Sequence, residues 1–294
     1  MQYMKNMKRH SLLLVLVLFS VSLKSQNSSS LLWEISGNGL KQPSYLFGTI
    51  HIIPKSDYFF TDEMKQAFDS CKALVLEADM FSISLSEKIK MVNKVLIPDG
   101  KTLEQYMDSN EYAYFKQVLK DSLGISGKKV DKKYARIKPF FLTALLLQEF
   151  VGKTKTYEQE LFNDSKKNDM SLLGLETIEF QLSLAEEIPF GEQLTELTDM
   201  NQYRSYSTMV ALYKRQDLDG LHKMSIEEYK TPAEKEFLDL FLTKRNSDWI
   251  PKIEKMINEQ PCFIAVGALH LPGETGVIEL LKKEGFTVNP VKEK

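Results

Sequence analysis

The sequence predicts an α/β protein with a central, mostly parallel β-sheet and flanking helices. Four short apolar runs have the length and the flanking breakers of buried strands, and amphipathic segments with helical spacing separate them. Each run also has a histidine or a glutamate at or near its end. The four runs are Tyr45–Pro54 and Phe263–Pro272, which contain a histidine, and Ala73–Glu77 and Leu172–Glu176, which end in a glutamate.

The two histidine runs share one pattern. Each has an apolar strand, Gly-x-x-His, one or two aliphatic residues and then proline, so that Gly48 precedes His51 and Gly267 precedes His270. We expect each histidine at the carboxyl end of its strand or on the loop just beyond it. Glycine three residues earlier lets a neighbouring backbone or a ligand approach closely.

The first part of the folded chain reads as a hairpin followed by a crossover. A short strand over Leu31–Ile35 and a turn at Ser36–Gly39 lead into the first histidine strand. A helix capped by Ser56 or Asp57 then returns the chain to the strand that ends at Glu77. If both strands are parallel members of one sheet, His51 and Glu77 lie at the same edge.

From about residue 80 to about 170 the pattern is helical. A capping box at Thr102–Gln105 and helices over Tyr112–Leu123 and Phe140–Phe150 are predicted. No long linker rich in Pro, Gly or Ser divides them from the rest, so we interpret the segment as a helical insertion that covers the site. The alternative that these helices only fill out the core stays open.

The second half repeats the strand and helix alternation. A helix over Tyr157–Lys167 precedes the strand ending at Glu176, and helices fill the region from 192 to 245. Ser247 is predicted to cap the next helix, which puts Pro251 in its first turn. A helix after Gly276 and a strand over Thr287–Val291 close the chain. The two Gly-x-x-His regions suggest a two-fold pseudo-repeat.

Residues 1–26 match a secretory signal peptide. A basic start ending Lys8-Arg9-His10 precedes an apolar run from Leu12 to Leu23, which is too short to span a bilayer comfortably. Residues 27–294 then form the mature domain, exported to the periplasm or secreted, with membrane attachment after processing left open. No second hydrophobic segment is long enough to span a membrane.

Composition limits the partners. The chain has 294 residues, 43% of them hydrophobic, and a formal net charge of -2. Removal of the leader takes four positive charges with it, which leaves the mature chain near -6. No basic stripe appears, so no nucleic-acid partner is expected. Cys71 and Cys262 adjoin predicted strands, and we expect two buried thiols in preference to a disulfide.

His51, His270, Glu77 and Glu176 are the candidate site. The carboxyl ends of strands in open α/β sheets are where ligands bind, and imidazoles with carboxylates form the usual ligand set of zinc, manganese, iron or cobalt. A lone strand-end glutamate is usually solvated, and a lone histidine is more often satisfied by a backbone carbonyl. Two of the chain's four histidines stand in matching contexts, which favours function. Arg245-Asn246 can hold a substrate carboxylate or carbonyl.

These residues resemble the TraB/GumN family, which is related to the Tiki metalloproteases. The resemblance covers Leu31 to Val291 and is most specific from Val266 to Gly273. It also rests on further matching positions. One position departs from the family pattern: Phe140 follows Lys138-Pro139 where a tryptophan is usual. The matching positions are Gly48-Thr49-Ile50-His51, Glu77, Leu175-Glu176-Thr177 with Gln181, and Arg245-Asn246 with Trp249.

The resemblance implies a fold akin to the erythromycin esterase and haem-binding ChaN-like proteins, with both histidines and the glutamates facing one cleft. For the Tiki branch it implies peptide cleavage that depends on a divalent metal (Mn, Co or Zn). The prediction is therefore an exported metal-dependent hydrolase of peptides or small esters and amides. His51, Glu77, Glu176 and His270 are its candidate catalytic residues and metal ligands: both histidines and one or both glutamates bind the metal, and a remaining glutamate takes the proton of the attacking water. Arg245 and Asn246 bind and orient the substrate.

Two alternatives remain. One is a metal-independent esterase in which histidine and glutamate act directly as base and acid. The other is a protein that binds a peptide or haem without turnover.

Overall fold

The computed structural model describes residues 30–199, 201–228 and 232–292. The predicted signal peptide lies outside these residues. The strands are β1 (Leu32–Ser36), β2 (Ser44–Thr49), β3 (Ile53–Pro54), β4 (Ala73–Ala78), β5 (Thr154–Lys155), β6 (Ser171–Glu176), β7 (Cys262–Gly267) and β8 (Thr287–Pro290).

Six of these strands form the central sheet, in the order β6-β4-β7-β2-β1-β8. The four from β6 to β2 are parallel, and β1 is antiparallel to both of its neighbours, β2 and β8. This confirms the α/β class, the mostly parallel sheet and the hairpin from β1 to β2. β7 comes from the end of the chain but lies between β4 and β2, so it brings the second Gly-x-x-His segment beside the first.

Helices flank this sheet and also form a separate core of their own. They are α1 (Asp62–Asp69), α2 (Leu85–Val95), α3 (Ser109–Leu123), α4 (Gly127–Lys129), α5 (Pro139–Val151), α6 (Tyr157–Lys167), α7 (Ile178–Ser183), α8 (Phe190–Glu196), α9 (Asn201–Lys214), α10 (Leu218–Glu228), α11 (Pro232–Leu238), α12 (Lys244–Glu259) and α13 (Val277–Lys283). A π-helical turn over Asp239–Thr243 leads directly into α12.

Local chemistry explains where several helices begin and end. α3 starts at a capping box between Asp108 and Glu111 and stops at Gly124, which adopts a left-handed conformation with φ of 66°. α5 begins with Pro139, whose missing N–H costs nothing at a helix start. α6 runs over Tyr157–Lys167, as predicted.

Two predicted helix starts are wrong. α1 is capped by Thr61 and not by Ser56 or Asp57, and it buries Met64, Ala67 and Phe68. α12 begins at Lys244, so Ser247 lies inside the helix. Pro251 is accordingly in the helix interior. Ser247 and Pro251 have the form of a helix start, whereas the real start at Lys244 has no side-chain cap and continues from the π-helical turn.

The apolar residues form two cores. The larger surrounds the sheet and includes Phe47, Val75, Phe263 and Trp249. The smaller lies among the helices between β4 and α9 and includes Phe115. That separate core suits a helical insertion, whose boundaries at about 80 and 170 stay a prediction.

Cys71 and Cys262 are both buried free thiols, as expected. Across residues 30–199, 201–228 and 232–292, none of the helices has the length and apolar character needed to cross a membrane.

Candidate active site

The parallel register of β2 and β7 brings the two Gly-x-x-His segments together. Thr49 pairs with Gly267 at the carboxyl ends of the two strands. A Cβ atom on Gly48 would lie 3.0 Å from the Cα of Ala268, and one on Gly267 would lie 3.3 Å from a carboxylate oxygen of Glu77. Both glycines are therefore explained by close approach, as the sequence indicated.

Arg245, in the first turn of α12, lies at the centre of the site. Its Nη2 donates to Oε2 of Glu77 at 2.6 Å and to Oε2 of Glu176 at 2.9 Å, while its Nε donates to Oε1 of Glu176 at 2.9 Å. Its Nη1 donates to the carbonyl of Phe241 at 3.0 Å and approaches Nε2 of His270 at 3.2 Å. The guanidinium thus joins both glutamates to the second histidine.

The π-helical turn makes one of these contacts possible. Phe241 belongs to that turn, where the backbone bonds reach five residues instead of four. Its carbonyl accepts from the Arg245 side chain. The wider turn therefore helps to aim the guanidinium at the carboxyl edge of the sheet.

Glu176 is fully engaged by donors. Its Oε1 also accepts from the indole of Trp249 at 2.8 Å, and its Oε2 accepts from the amide of Gln181 at 3.3 Å. The side chain is only 4% exposed. Glu176 does not line the cavity described below, and the donors to its carboxylate are Arg245, Trp249 and Gln181.

Glu77 faces both the charged cluster and the cavity. Its Oε1 accepts the backbone N–H of Gly267 at 2.8 Å and lies 3.7 Å from Nε2 of His270. Burial acts to raise the pKa of Glu77, but His270, His51, Arg245 and this N–H outweigh it and lower the pKa to about 2. The carboxylate therefore stays ionised at neutral pH.

His270 is buried and held in one tautomer. It ends the 3₁₀ turn Ala268–His270, and its Nδ1 lies 2.6 Å from Oδ1 of Asn246. Because an amide oxygen only accepts, Nδ1 carries the proton and Nε2 has the free electron pair. Burial is the main cause that lowers the pKa of His270 to about 4. The imidazole is neutral at pH 7, with Nε2 directed to Arg245.

His51 has the opposite environment. Its Nδ1 pairs with Oε1 of Glu158 at 2.9 Å, and the hydroxyl of Thr49 donates to the same oxygen at 3.1 Å. The negative charge of Glu158 is the main cause that raises the pKa of His51 to about 9. The His51 side chain is 67% exposed. At neutral pH it is an imidazolium at the edge of the site.

A largely apolar cavity of about 420 Å³ adjoins these residues. Thr49, His51, Glu77, Arg245, Gly267 and His270 line one part of it. Residues of α5, α9 and α10 and of the segment before α12 supply most of the remaining wall. A ligand in this cavity would meet both histidines, one carboxylate and the guanidinium.

The arrangement does not offer the four predicted residues as a metal ligand set. Both oxygens of Glu176 and Oε2 of Glu77 already accept N–H donors, and the Arg245 cation occupies the space between the two carboxylates. Within the described ranges, no three His, Cys, Asp or Glu side chains are grouped to hold a metal ion. Whether the protein binds a metal stays a prediction.

The sequence named most of this cluster but not all of it. Both histidines, both glutamates, Arg245 and Asn246 do converge, with Glu176 behind Arg245 and Asn246 behind His270. Glu158 was missed because it lies in the first turn of a helix, where acidic residues are common for reasons unrelated to function. Only its spatial pairing with His51 distinguishes it.

Comparison with known proteins agrees with the resemblance seen in the sequence. A family model described as the TraB/PrgY/gumN family matches residues 31–290, which is most of the chain. Neither the curated proteins nor the solved structures gave a significant match. The extent of the family match shows that this chain is a member of the TraB/PrgY/gumN family.

Proposed function

We propose that the protein is a hydrolase of esters or amides, peptides included, that uses the two Gly-x-x-His histidines as a base and an acid. One observation carries the proposal. Two imidazoles beside one cavity have pKa values displaced in opposite directions, to about 4 for His270 and about 9 for His51. Environments that separate the pKa values of paired groups in this way are typical of acid and base assignments.

His270 acts as the base. His270 lines the cavity, and Asn246 fixes the tautomer in which Nε2 carries the electron pair. Nη1 of Arg245 lies 3.2 Å from Nε2, so its N–H turns away from Nε2 when a water molecule takes its place. A water molecule gives its proton to Nε2 while its oxygen attacks the carbonyl carbon of the substrate. The new O–C bond forms as the carbonyl π electrons move to oxygen, giving a tetrahedral oxyanion.

Arg245 stabilises that oxyanion. Of its N–H groups, the one directed at His270 Nε2 meets a nitrogen acceptor at 3.2 Å, while the others donate to oxygens. This N–H of Nη1 leaves Nε2 when the attacking water takes its place, and it is then free to donate to the oxyanion. The other four N–H groups hold the guanidinium in place, so the reorganisation of this one donor is small.

His51 acts as the acid. As the tetrahedral species collapses, the bond to the leaving oxygen or nitrogen breaks, and the Nε2 proton of the His51 imidazolium passes to that atom. Glu158 holds the imidazolium through Nδ1 and maintains its charge. Glu77 stays ionised, and its negative charge offsets the positive charge that His270 acquires.

The test is hydrolysis of nitrophenyl esters and of a quenched fluorescent peptide library by purified mature protein. His51→Ala and His270→Ala should each lose at least about a hundredfold in kcat, the usual contribution of a general acid or base. His222→Ala is the matched control, because His222 does not line the cavity. Equal turnover by wild type and His270→Ala would remove His270 from the mechanism.

Metal-assisted hydrolysis is the second candidate. In both histidines Nδ1 is held by a side-chain oxygen, which leaves Nε2 as the donor atom and matches the outer-shell support usual for metal-bound histidine. His51, Glu77 and His270 would be the ligands, with rearrangement of Arg245. Mass spectrometry for metals on tag-free protein, with activity before and after chelation, separates the two candidates. Stoichiometric Mn, Co or Zn with loss of activity on chelation would favour this one.

A binding protein without turnover is the remaining outcome of the same assay. For haem, the cavity offers little support. Its volume of about 420 Å³ suits a small ligand, and a haem is much larger. Retention of peptides without cleavage by any variant would favour this reading over hydrolysis.

We also propose that the protein acts outside the cytoplasm. The basic and apolar leader of residues 1–26 supports export. Sequencing the amino terminus of protein from periplasmic and medium fractions tests it, with cleavage near Gln26 expected. Recovery of an intact amino terminus from the exported protein would overturn cleavage.

A further inference from the structure

We infer that the substrate carries a neutral apolar group of limited size, which the cavity beside the two histidines receives next to the bond that is cut. This inference deepens the proposed function and rests on it. The cavity wall away from the catalytic residues is built from aliphatic and aromatic side chains. They include Ala144, Leu147, Met209, Leu221, Phe241 and Leu242.

The polar atoms of this wall are already used. Tyr206 donates its hydroxyl to the carbonyl of Ile52 at 2.9 Å, and Tyr213 donates to the carbonyl of Gly48 at 2.9 Å. Both tyrosines therefore line the cavity while their hydroxyls donate to backbone carbonyls near the first Gly-x-x-His. A substrate group in this region finds contact surface but no free hydrogen-bonding partner from these rings.

Charge is confined to the catalytic end. Of the described residues that line the cavity, those with titratable or charged side chains apart from the two tyrosines are His51, Glu77, Arg245 and His270. A charged group placed in the apolar part would lose its hydration without gaining a partner, which is costly. The cavity therefore selects against substrates whose buried part is charged.

The volume sets the size of the group. If each non-hydrogen atom takes roughly the 30 Å³ of a liquid water molecule, about 420 Å³ holds on the order of a dozen non-hydrogen atoms. This range includes a medium-length acyl chain or one large apolar amino-acid side chain with its carbonyl. The substrate class is accordingly an ester or amide whose acyl or side-chain portion is aliphatic or aromatic.

Ala144 and Leu147 allow the size limit to be changed. Both lie on α5 and line the cavity, and Ala144 is exposed, so a larger side chain there does not disturb the core. Gln148, on the same helix, is exposed but does not line this cavity. Gln148→Phe is thus the matched control for Ala144→Phe. Leu147→Ala should enlarge the cavity and provides a second variant if the first fails to fold.

The experiment measures binding of straight-chain methyl ketones of increasing length, which are neutral and cannot be hydrolysed, by titration calorimetry. In wild type and Gln148→Phe we expect Kd to fall roughly fourfold per added methylene, the equivalent of about 0.8 kcal/mol per buried CH₂, until the cavity is full. Ala144→Phe should stop this trend at a shorter chain, and Leu147→Ala at a longer one.

A Kd independent of chain length, or the same series in Ala144→Phe and Gln148→Phe, would overturn the inference. Ester hydrolysis is measured on the same proteins, so that the two proposals fail separately. The chain-length trend without turnover would refute the hydrolase and leave only the binding of a neutral apolar group in the cavity. Turnover at a rate independent of acyl length would refute this inference and leave the proposed hydrolase standing.

Discussion

Glu158→Gln isolates the role of His51, because it removes one negative charge with little change in shape. The Oε1 of the new amide can still accept from His51 and from Thr49, as the carboxylate does. The charge of Glu158 is the main cause of the raised pKa of His51, about 9 against an ordinary 6.5. Its removal should return the pKa of His51 toward 6.5.

The magnitude follows from this shift after allowance for solvent. His51 is 67% exposed, so screening reduces the influence of the charge, and we expect the pKa of His51 to fall by about one to two and a half units. Wild type at pH 8 keeps roughly nine tenths of His51 protonated, and the variant keeps between about a half and a thirtieth. Since the acid must be protonated, kcat at pH 8 should drop by roughly two- to thirtyfold.

The assay is the pH profile of kcat and kcat/KM for wild type and Glu158→Gln between pH 4 and 10. We expect the descending limb of the profile to move to lower pH in the variant, with little change at pH 5, where His51 is protonated in both proteins. If His51 were a metal ligand or a base, it would have to be neutral. The lower pKa of His51 in Glu158→Gln would then raise activity near pH 7. Such a gain, or an unmoved limb, would refute the acid role.

Four further outcomes are expected. Arg245→Met leaves two buried carboxylates without their cation and should lower the free energy of unfolding by about 3–5 kcal/mol in urea titrations, whereas a loss below 1 kcal/mol would show the ion pairs to be dispensable. Gly267→Ala places a methyl group 3.3 Å from Glu77 Oε1 and 3.4 Å from the His270 ring, and it should cost about tenfold in kcat with unfolding free energy changed by less than about 1 kcal/mol. Asn246→Asp puts a carboxylate on Nδ1 of His270 and should raise its pKa, so the acid limb of the pH profile moves to higher pH, and an unchanged limb would exclude His270 as the base. The free energy of unfolding of the wild type should fall as the pH drops from 6.5 to about 4, because His270 is protonated in the unfolded chain but not in the folded one. It should fall further between pH 4.5 and about 2, as Glu77 is protonated. Constant stability between pH 7 and 4 would contradict the lowered pKa of His270.

The strands were predictable because buried strands leave an unambiguous mark. Apolar runs bounded by breakers identified β2, β4, β6 and β7, and the chemistry at their ends predicted the residues that meet at the sheet edge. Pairing was harder to predict. The sequence does not indicate that β7 inserts between β4 and β2, since that depends on packing among distant segments.

The interior of the site shows a different limit. Residue type predicts Glu176 as a catalytic residue and metal ligand and Arg245 as a substrate-binding residue, and both roles stay predictions. What residue type does not indicate is that Arg245 donates three hydrogen bonds to Glu77 and Glu176 and so neutralises its own surroundings. Glu158 carries no local signature, and only the approach of α6 to the end of β2 pairs it with His51.

The start of α12 was misplaced for a related reason. Ser247 and Pro251 have the form of a cap and a first turn, and local preference favours a start there. The chain is already helical through the π-helical turn at Asp239–Thr243, and the tertiary contacts of Arg245 with Glu77 and Glu176 support that continuation. A longer helix sets Arg245 and Asn246 on a rigid element that faces the sheet edge.

The most direct test of the two-histidine account is an NMR titration of the imidazoles in chelated mature protein, with His222→Ala used for assignment. The account predicts that His51 titrates at about pH 9 and His270 at about pH 4. In His270→Ala the His51 signal should remain above 6.5, since Glu158 stays in place. Titration of both imidazoles near 6.5 would contradict the separation of acid and base on which the proposed mechanism depends.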